Sequence, residues 1–219
     1  MRIDLHTHTL LSDGALLPIE LARRAAVMKH EALAFTDHAS MGSVERVVDE
    51  AMKDAALAAE WGIEVLAGCE LTHVPAARLD EVVSAARRAG AEIIVVHGET
   101  ISEPVEKGTN RAAANNPDVD ILAHPGFISE EDAQAAADND VVLEITSRPS
   151  HGMTNGHVAA VARKVGTRLI VNSDTHSPGD LITEERAMLV AMGAGMSREE
   201  AELAVIRNPK DIVRRIRGR

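Results

Sequence analysis

The sequence predicts an α/β fold, a barrel of seven strand–helix units, and two observations support this prediction. Short runs of β-branched and other apolar residues recur along the chain, and segments with the composition and spacing of amphipathic helices lie between them. The runs are continuous and do not alternate with polar residues, which is typical of parallel strands covered by helices. Seven units closed on themselves would form a barrel related to the eight-unit one, and an open doubly wound sheet is the alternative.

The predicted strands and helices alternate as far as residue 174. Strands are expected over residues 3–8, 32–37, 63–71, 92–97, 119–124, 141–145 and 168–174. Helices are expected over residues 18–29, 44–60, 79–89, 109–115, 129–137 and 154–165. Ser43 and Ser129 are the expected N-caps, and Gly166 is an expected left-handed C-cap. His30 falls at the end of the first helix, where the helix dipole would favour its charge.

The chain is expected to form one domain, residues 1–219, with a helical tail from about 179 to 219 that the Asn208-Pro209 pair breaks. The sequence contains no apolar stretch typical of a signal peptide or a membrane span. Its single cysteine, Cys69, suits a reducing compartment and is interpreted as core. The expectation is a cytoplasmic protein without a membrane partner, whose oligomeric state the sequence does not indicate.

Charge and composition restrict the class of ligand. The formal net charge is −11, and the aromatic residues are two Phe and one Trp, with no Tyr. An acidic surface repels phosphate backbones, and the shortage of aromatic rings removes the usual platforms for base stacking. Nucleic acid is therefore expected only as a short or terminal substrate, whereas a small phosphorylated substrate can still bind at a cluster of cations.

Residues that bind metal ions stand at the ends of almost all the predicted strands. They are His6, His8, His38, Glu70, His97, His124, Asp174 and His176. The carboxyl ends of parallel strands meet at one rim, and residues two apart on a strand face the same way. Each of these motifs alone also suits a helix cap or a turn. Together, imidazoles and carboxylates at one rim indicate a site for Zn, Mn or Fe.

These motifs occur in a characteristic order. They are Asp4-Leu5-His6-Thr7-His8-Thr9, Ser12-Asp13-Gly14, Thr36-Asp37-His38, Gly68-Cys69-Glu70, His97-Gly98, Ala123-His124-Pro125-Gly126 and Ser173-Asp174-Thr175-His176. In this order they resemble the PHP family (polymerase and histidinol phosphatase). The resemblance implies a distorted (β/α)7 barrel that binds two or three divalent metal ions, Zn, Mn or Fe.

The resemblance also implies three adjacent metal sites. The first would be held by His6, His8, Glu70 and Asp174. The second would use Glu70 as a bridging carboxylate together with His97 and His124. The third would use Asp13, His38 and His176.

Such an array suits phosphoester hydrolysis, because two neighbouring cations lower the pKa of a water between them and clamp the phosphoryl oxygens. Glu70 and Asp174 are the catalytic carboxylates of this hypothesis. Arg148, directly after the sixth strand, is the expected guanidinium for the phosphoryl group. Lys107, Arg111 and His151 are further candidates for substrate binding. The predicted function is a phosphatase of a small phosphomonoester, similar to histidinol phosphate or a nucleotide.

Three other functions are alternatives. A 3'-5' exonuclease or nucleotide phosphodiesterase would use the same chemistry on a different substrate. An amidohydrolase shares the His-x-His strand and the late Asp, but it requires a bridging lysine in a strand, and the lysines here fall in predicted helices, loops or the tail. A non-catalytic metal-binding module is the third alternative, and the complete set of ligand residues argues against it.

Overall fold

Parallel strands form the sheet at the centre of the computed structural model, which describes residues 2–219. They are β1 (Arg2–Asp4), β2 (His30–Phe35), β3 (His38–Ala39), β4 (Glu64–Leu71), β5 (Ile93–His97), β6 (Ile121–Ala123), β7 (Val142–Thr146) and β8 (Leu169–Asn172). The order along the sheet is β1-β2-β4-β5-β6-β7-β8, and the short β3 pairs with β4 beyond the end of β2. Each strand pairs in parallel with the next unit of the chain, as a βα barrel requires.

The segments that follow β1 and β8 bring the first and last units together. The backbone N–H of His8 donates to the carbonyl of Thr175 at 2.8 Å, and the N–H of Asp174 donates to the carbonyl of His6 at 3.0 Å. Thr7 and Thr175 form an isolated parallel bridge between the same segments. The sheet is thus a nearly closed barrel. The prediction of a seven-unit α/β barrel is confirmed, and the open sheet is wrong.

Helices surround the barrel and bury one face each. They are α1 (Pro18–Val27), α2 (Val44–Ala58), α3 (Leu79–Arg88), α4 (Thr109–Ala114), α5 (Glu130–Asp138), α6 (Asn155–Val165), α7 (Glu184–Gly193), α8 (Arg198–Glu202) and α9 (Asn208–Arg217). In α3 the buried residues Leu79, Val82, Val83 and Ala86 recur at helical spacing, which places them on the face toward the sheet. Within residues 2–219, no helix has the length and apolar character that crossing a membrane would require.

Alternate residues of the strands belong to different cores. In β5, Ile93 contributes to the core inside the barrel, and the next residue, Ile94, packs in the core between barrel and helices. The interior core also contains Ile212 and Ile216 of α9. Arg217 of the same helix donates to the Glu64 carboxylate at 2.6 Å, at the beginning of β4. Helix α9 therefore covers the end of the barrel where strands begin, and the site must form at the opposite end.

The predicted helix caps are partly confirmed. The Ser129 hydroxyl accepts a hydrogen bond from the N–H of Asp132 and caps α5, and Gly166 ends α6 with a φ of 82°. Ser43 precedes α2 but does not cap it. Its hydroxyl instead accepts a hydrogen bond from the N–H of Ser40 in the preceding turn.

The predicted break at Asn208-Pro209 is wrong. A π-helical turn over Leu203–Arg207 connects α8 to α9, and its wide hydrogen bond runs from the N–H of Asn208 to the carbonyl of Leu203. Pro209 stands in the first turn of α9. A proline is tolerated there because its missing N–H would have no partner within that helix.

His30 lies at the first position of β2, with 5% of its surface exposed, and not at the end of α1. Burial, assisted by Arg2 and opposed by Asp4, lowers the pKa of its imidazole. The unfolded chain, with a His pKa of about 6.5, takes up the proton first as pH falls. The stability that neutral His30 contributes is therefore complete above that pH and is lost below it.

We expect His30→Leu to flatten the pH dependence of the free energy of unfolding in this range. Denaturant titrations of wild type and variant at pH 7.5, 6.5 and 5.5, all in chelator, would measure it. Wild type should lose more stability than the variant at each acid step. If the free energy of unfolding depended on pH equally in both proteins, the assignment of a lowered pKa to His30 would be contradicted.

Candidate metal centre

The residues proposed as ligands meet at the open end of the barrel, where strands end. The cavity there is lined by Asp13, His38, Glu70, His97, Glu103, His124, Arg148, His151, Asp174 and His176. His6 and His8 lie beneath these residues and are buried. The structure thus brings together all nine side chains that the sequence suggested as metal ligands.

Several of these residues stand just past the strands, not on them. Strand β1 ends at Asp4 and β8 at Asn172, so the predicted strands extend too far at these ends. Asp174 has a φ of 53° and His124 a φ of 28°. Positive φ is unfavourable for residues other than glycine and is concentrated at functional sites, where it directs a side chain.

The inner group consists of His6, His8, Glu70 and Asp174, all almost completely buried. The Nε2 atoms of His6 and His8 are 3.0 Å apart. Glu70 Oε1 lies 3.3 Å from His6 Nε2, and Asp174 Oδ1 lies 3.3 Å from His8 Nε2. Two imidazole nitrogens and two carboxylates with these contacts form a donor set that suits a divalent cation.

The imidazole group consists of His97, His124 and His151, whose ligating nitrogens lie within 4.8 Å of one another. The rings of His124 and His151 stack with centroids 4.3 Å apart, and His97 meets His124 edge-on at 4.6 Å. Glu70 Oε1 lies 3.7 Å from His124 Nε2. The sequence suggested His151 for substrate contact, whereas its position here adds a third imidazole beside His97 and His124.

The outer group consists of His8, Asp13, His38 and His176, again with ligating atoms within 4.8 Å of one another. Asp13 Oδ1 lies 3.5 Å from His38 Nε2 and 3.3 Å from His176 Nε2. The second oxygen of Glu70 lies 2.7 Å from His38 Nδ1. Glu70 therefore contacts all three groups, and between the inner group and the imidazole group it occupies the position expected of a bridging carboxylate.

The charges in the cavity favour ligation. Burial raises the pKa of Glu70, but the charges of His6, His97 and His38 outweigh it and hold that pKa well below its ordinary value. Burial, with neighbouring imidazoles, lowers the pKa of His8 and of His124 well below the ordinary value. Neutral imidazole and ionised carboxylate are the forms that bind metal ions.

Two further pKa shifts show that the crowded carboxylates favour positive charge in the cavity. Although burial lowers it, the carboxylates of Glu70 and Asp13 raise the pKa of His38 to about 10. Burial, with Glu70 and Glu144, raises the pKa of Asp174 to about 7. The carboxylates thus favour positive charge at this end of the barrel, and bound metal cations would neutralise them.

Three buried atoms give an independent test of whether cations fit. Glu70 Oε1, His8 Nδ1 and His124 Nδ1 have no hydrogen-bond partner within the described chain. Buried polar atoms in proteins are normally paired, and exceptions mark an ion, a water or a functional constraint. Glu70 Oε1 faces both His6 and His124, so a cation between these groups would satisfy it. The residues present therefore fit the group that the family resemblance implies.

Glu144 on β7 supports the inner group and was not identified from the sequence as a site residue. Its Oε2 lies 2.8 Å from His6 Nδ1 and accepts a hydrogen bond from Asn172 at 2.9 Å. A proton on Nδ1 leaves Nε2 of His6 free to bind a cation, which is a common role for a carboxylate behind a ligand histidine. A charged residue inside the apolar run of β7 was the signal that could have identified it.

Asp37 organises the loop that carries Asp13. Its carboxylate accepts hydrogen bonds from the Thr9 N–H at 2.7 Å, the Thr9 hydroxyl at 2.8 Å and the Ser12 hydroxyl at 2.7 Å. Burial raises the pKa of Asp37 despite these bonds. Its role is to hold a loop, because its oxygens are directed at Thr9 and Ser12.

Arg148 reaches the edge of the cavity from the loop after β7. Its Nη1 lies 2.7 Å from His176 Nδ1 and donates to the carbonyl of Asp174 at 3.3 Å. This contact leaves His176 Nε2 directed toward Asp13. The sequence-based placement of an arginine beside the ligands agrees with this geometry.

The structure does not bring Lys107 and Arg111 to the cavity. Arg111 lies on α4, and its guanidinium donates to Glu131 at 2.7 Å and to Asp132 at 2.9 Å. Lys107 is exposed in the loop before α4 and does not line the cavity. Both were suggested because they follow the fourth predicted strand, but the intervening loop directs them outward.

Glu103 enters the site from the same loop and was missed. Its Oε2 lies 3.3 Å from His97 Nε2 and 3.4 Å from His73 Nε2, and its Oε1 lies 3.5 Å from His151 Nε2. The loop has no regular periodicity, so the sequence holds no signal that distinguishes Glu103 from an ordinary surface glutamate.

Sequence comparisons agree with this description. The sequence profile of the PHP domain matches residues 4–120. An uncharacterized protein of Methanocaldococcus jannaschii is 47% identical over 218 residues, 99% of this chain and 100% of that protein. Ribonuclease P protein component 3 of Methanosarcina mazei is 29% identical over 220 residues, 94% of this chain and 86% of that protein. A probable phosphatase of Caldanaerobacter subterraneus is 28% identical over 224 residues, covering 90% and 85%.

Solved structures share the fold. A chain of archaeal ribonuclease P with mature tRNA matches with a TM-score of 0.69 and 18% identity, over 98% of this chain and 89% of that one. A chain from the structures of YwqE from Bacillus subtilis and CpsB from Streptococcus pneumoniae, described as metal-dependent tyrosine phosphatases, matches with a TM-score of 0.60 and 18% identity, over 97% and 94%. With a family profile that spans more than half of the sequence, this chain belongs to the PHP domain family.

Proposed function

We propose that the protein is a metal-dependent phosphoesterase that hydrolyses a small phosphomonoester. The observation that supports this most is the convergence of three adjoining donor groups on Glu70, with the Arg148 guanidinium at their edge. Adjacent cations beside a guanidinium match the charge of a phosphoryl group, which is an anion that repels a nucleophile in water. The relatedness to a probable phosphatase is in keeping with this proposal.

The ligand assignment follows the three groups. His6, His8, Glu70 and Asp174 would hold one ion; Glu70, His97 and His124 a second; and Asp13, His38 and His176 a third. His151 would complete the second set. When bound, two or three ions of Zn, Mn or Fe supply Lewis acidity, which makes a water nucleophilic near neutral pH and neutralises phosphoryl oxygens.

The chain's own residues supply binding and orientation. Arg148 presents N–H groups to the phosphoryl oxygens from the edge of the cavity. Glu144 keeps a proton on Nδ1 of His6, so that Nε2 stays directed at Glu70. His97 and His124, each 2% exposed, limit access of bulk water to the base of the cavity.

A small substrate fits the charge distribution better than a long polynucleotide. The chain carries a formal net charge of −11. The arginines of the last helix, a possible basic surface, are engaged within the fold: Arg215 pairs with Asp120 at 3.2 Å and Arg217 with Glu64 at 2.6 Å. A 3'-5' exonuclease or nucleotide phosphodiesterase would use the same chemistry, and its substrate would have to enter as a short or terminal segment.

The second candidate is a role as a protein subunit that binds RNA, with no catalysis of its own. The observation that favours it is the 29% identity to a ribonuclease P protein component. Such a role would require basic surface that the formal charge does not provide. Measuring the binding of a precursor tRNA at two salt concentrations would test it, because RNA binding through phosphates weakens steeply as salt increases.

We expect purified protein to contain about two to three equivalents of Zn, Mn or Fe and to hydrolyse phosphomonoesters. Elemental analysis would be combined with assays of 4-nitrophenyl phosphate, histidinol phosphate, a nucleoside bisphosphate and a short oligonucleotide. Removal of metal with a chelator should abolish hydrolysis, and addition of Mn, Zn or Fe should restore it. Metal-loaded protein that leaves all four substrates intact would overturn the proposal and favour the second candidate.

A further inference from the structure

A second cavity adjoins the metal centre and extends away from it toward α7. Its volume is about 470 Å³. It shares Arg148 and Asp174 with the metal centre, so the two spaces adjoin at these residues. Its other walls are formed by Ser147, Pro149, Ser150, Ser173, Gly179, Asp180, Ile182, Arg186 and Val190.

One face of α7 forms the far wall of this cavity. Arg186 and Val190 of α7 are spaced four residues apart and both line the cavity, and Ile182, just before the N-cap Thr183, lines it as well. Residues at this spacing lie on the same side of a helix. Arg186 therefore lies on the helix face that borders the cavity, and Ile182 and Val190 add apolar residues to its wall.

The two carboxylates of the cavity have other partners, so its arginines remain to bind an anion. The Oδ2 atom of Asp180 accepts hydrogen bonds from the backbone N–H groups of His176 at 3.0 Å and Ser177 at 2.7 Å, which offset its charge. Asp174 is directed at the inner group and lies 3.3 Å from His8. Two arginines then line the space: Arg148, which also borders the metal centre, and Arg186, which lies on α7.

We propose that this cavity binds a second anionic group of the substrate, a carboxylate or a phosphate, through Arg186. The inference rests on the proposed function, because it places the phosphoryl group at the metal centre and the remainder of the substrate beside α7. A volume of about 470 Å³ is in the range of small-ligand pockets and accommodates a short carbon skeleton. The substrate class is then a small phosphomonoester that carries a second acid group.

The test compares phosphate esters that differ only in the second group. We would measure kcat/KM for propyl phosphate, 3-phosphooxypropanoate and propane-1,3-diol bisphosphate. The five-carbon equivalents would be measured as well, to find the chain length that the cavity prefers between the two groups. Wild type should prefer the esters that bear a second acid group. Arg186→Gln should reduce that preference about tenfold or more, because a charge-assisted pair is lost, and Arg186→Lys should retain part of it. The carboxylate and phosphate series show which acid is preferred.

The matched control is Arg198→Gln, which removes an exposed arginine at the start of α8 that does not line the cavity; its preference should equal that of wild type. Calorimetric binding of 3-phosphonopropanoate and of propylphosphonate needs no turnover. Selective binding of 3-phosphonopropanoate that depends on Arg186 would support the cavity assignment even if no ester were hydrolysed. The absence of hydrolysis would instead overturn the proposed function. Equal preferences in wild type, or a preference unchanged in Arg186→Gln, would overturn the inference.

Discussion

Glu70→Gln is expected to lower phosphatase activity by roughly a thousandfold or more and to remove at least about one equivalent of metal. The reason is the position of the carboxylate. Oε1 lies 3.3 Å from His6 Nε2 and 3.7 Å from His124 Nε2, and Oε2 lies 2.7 Å from His38 Nδ1. One substitution thus weakens the two sets that Glu70 would ligate, because an amide binds cations less well than a carboxylate does, and it removes the carboxylate beside His38 of the third set. Elemental analysis and kcat on 4-nitrophenyl phosphate measure both effects.

A graded series separates ligation from support. Glu144→Gln removes only the carboxylate behind His6 and should lower metal affinity or phosphatase activity about 10–100-fold. Glu45→Gln, on the exposed face of α2, should have no effect on metal content or activity. A Glu70→Gln protein with its full complement of metal and more than about a tenth of wild-type activity would rule out a bridging role.

The ligand positions were predictable because parallel strands order them. Once each apolar run is interpreted as a strand, its C-terminal residues must share one rim. His97 closes β5 and His124 follows β6 directly, as that argument requires. The barrel closure was less predictable, since it depends on bonds between segments outside the strands, such as the one from His8 N–H to Thr175.

Residues carried by loops could not be predicted. Glu103 and Lys107 follow the same strand, yet the first faces His97 and the second is exposed. Their directions depend on tertiary contacts such as the hydrogen bonds that Glu99 accepts from the N–H groups of Gly108 and Asn110. No periodicity encodes such contacts, so the sequence predicts metal ligands better than substrate contacts.

Gly68→Ala is expected to destabilise the folded protein by about 3 kcal/mol and to lower its metal content. A Cβ at this position would lie 2.0 Å from the carbonyl oxygen of Ile93 and 2.6 Å from its Cγ2 atom. The backbone oxygen cannot rotate away as a flexible side chain would, so β5 must shift. Gly68 pairs with Ile93 in the register of β4 and β5. The clash would therefore separate two adjacent barrel strands.

The same displacement should reach the metal centre, because Glu70 is two residues beyond Gly68 on β4 and His97 ends β5. Glu70 and His97 would both ligate the second ion, so moving one strand against the other changes the spacing between two of its ligands. Gly193→Ala is the matched control: nothing lies within 4 Å of its added Cβ, and the residue is helical, so stability should be unchanged or slightly higher. Denaturant unfolding of both variants with and without added metal would test this. A Gly68→Ala protein as stable as the Gly193→Ala control would show that β4 and β5 can separate at this point without cost. Normal stability with lost metal would place the effect on the ligands alone.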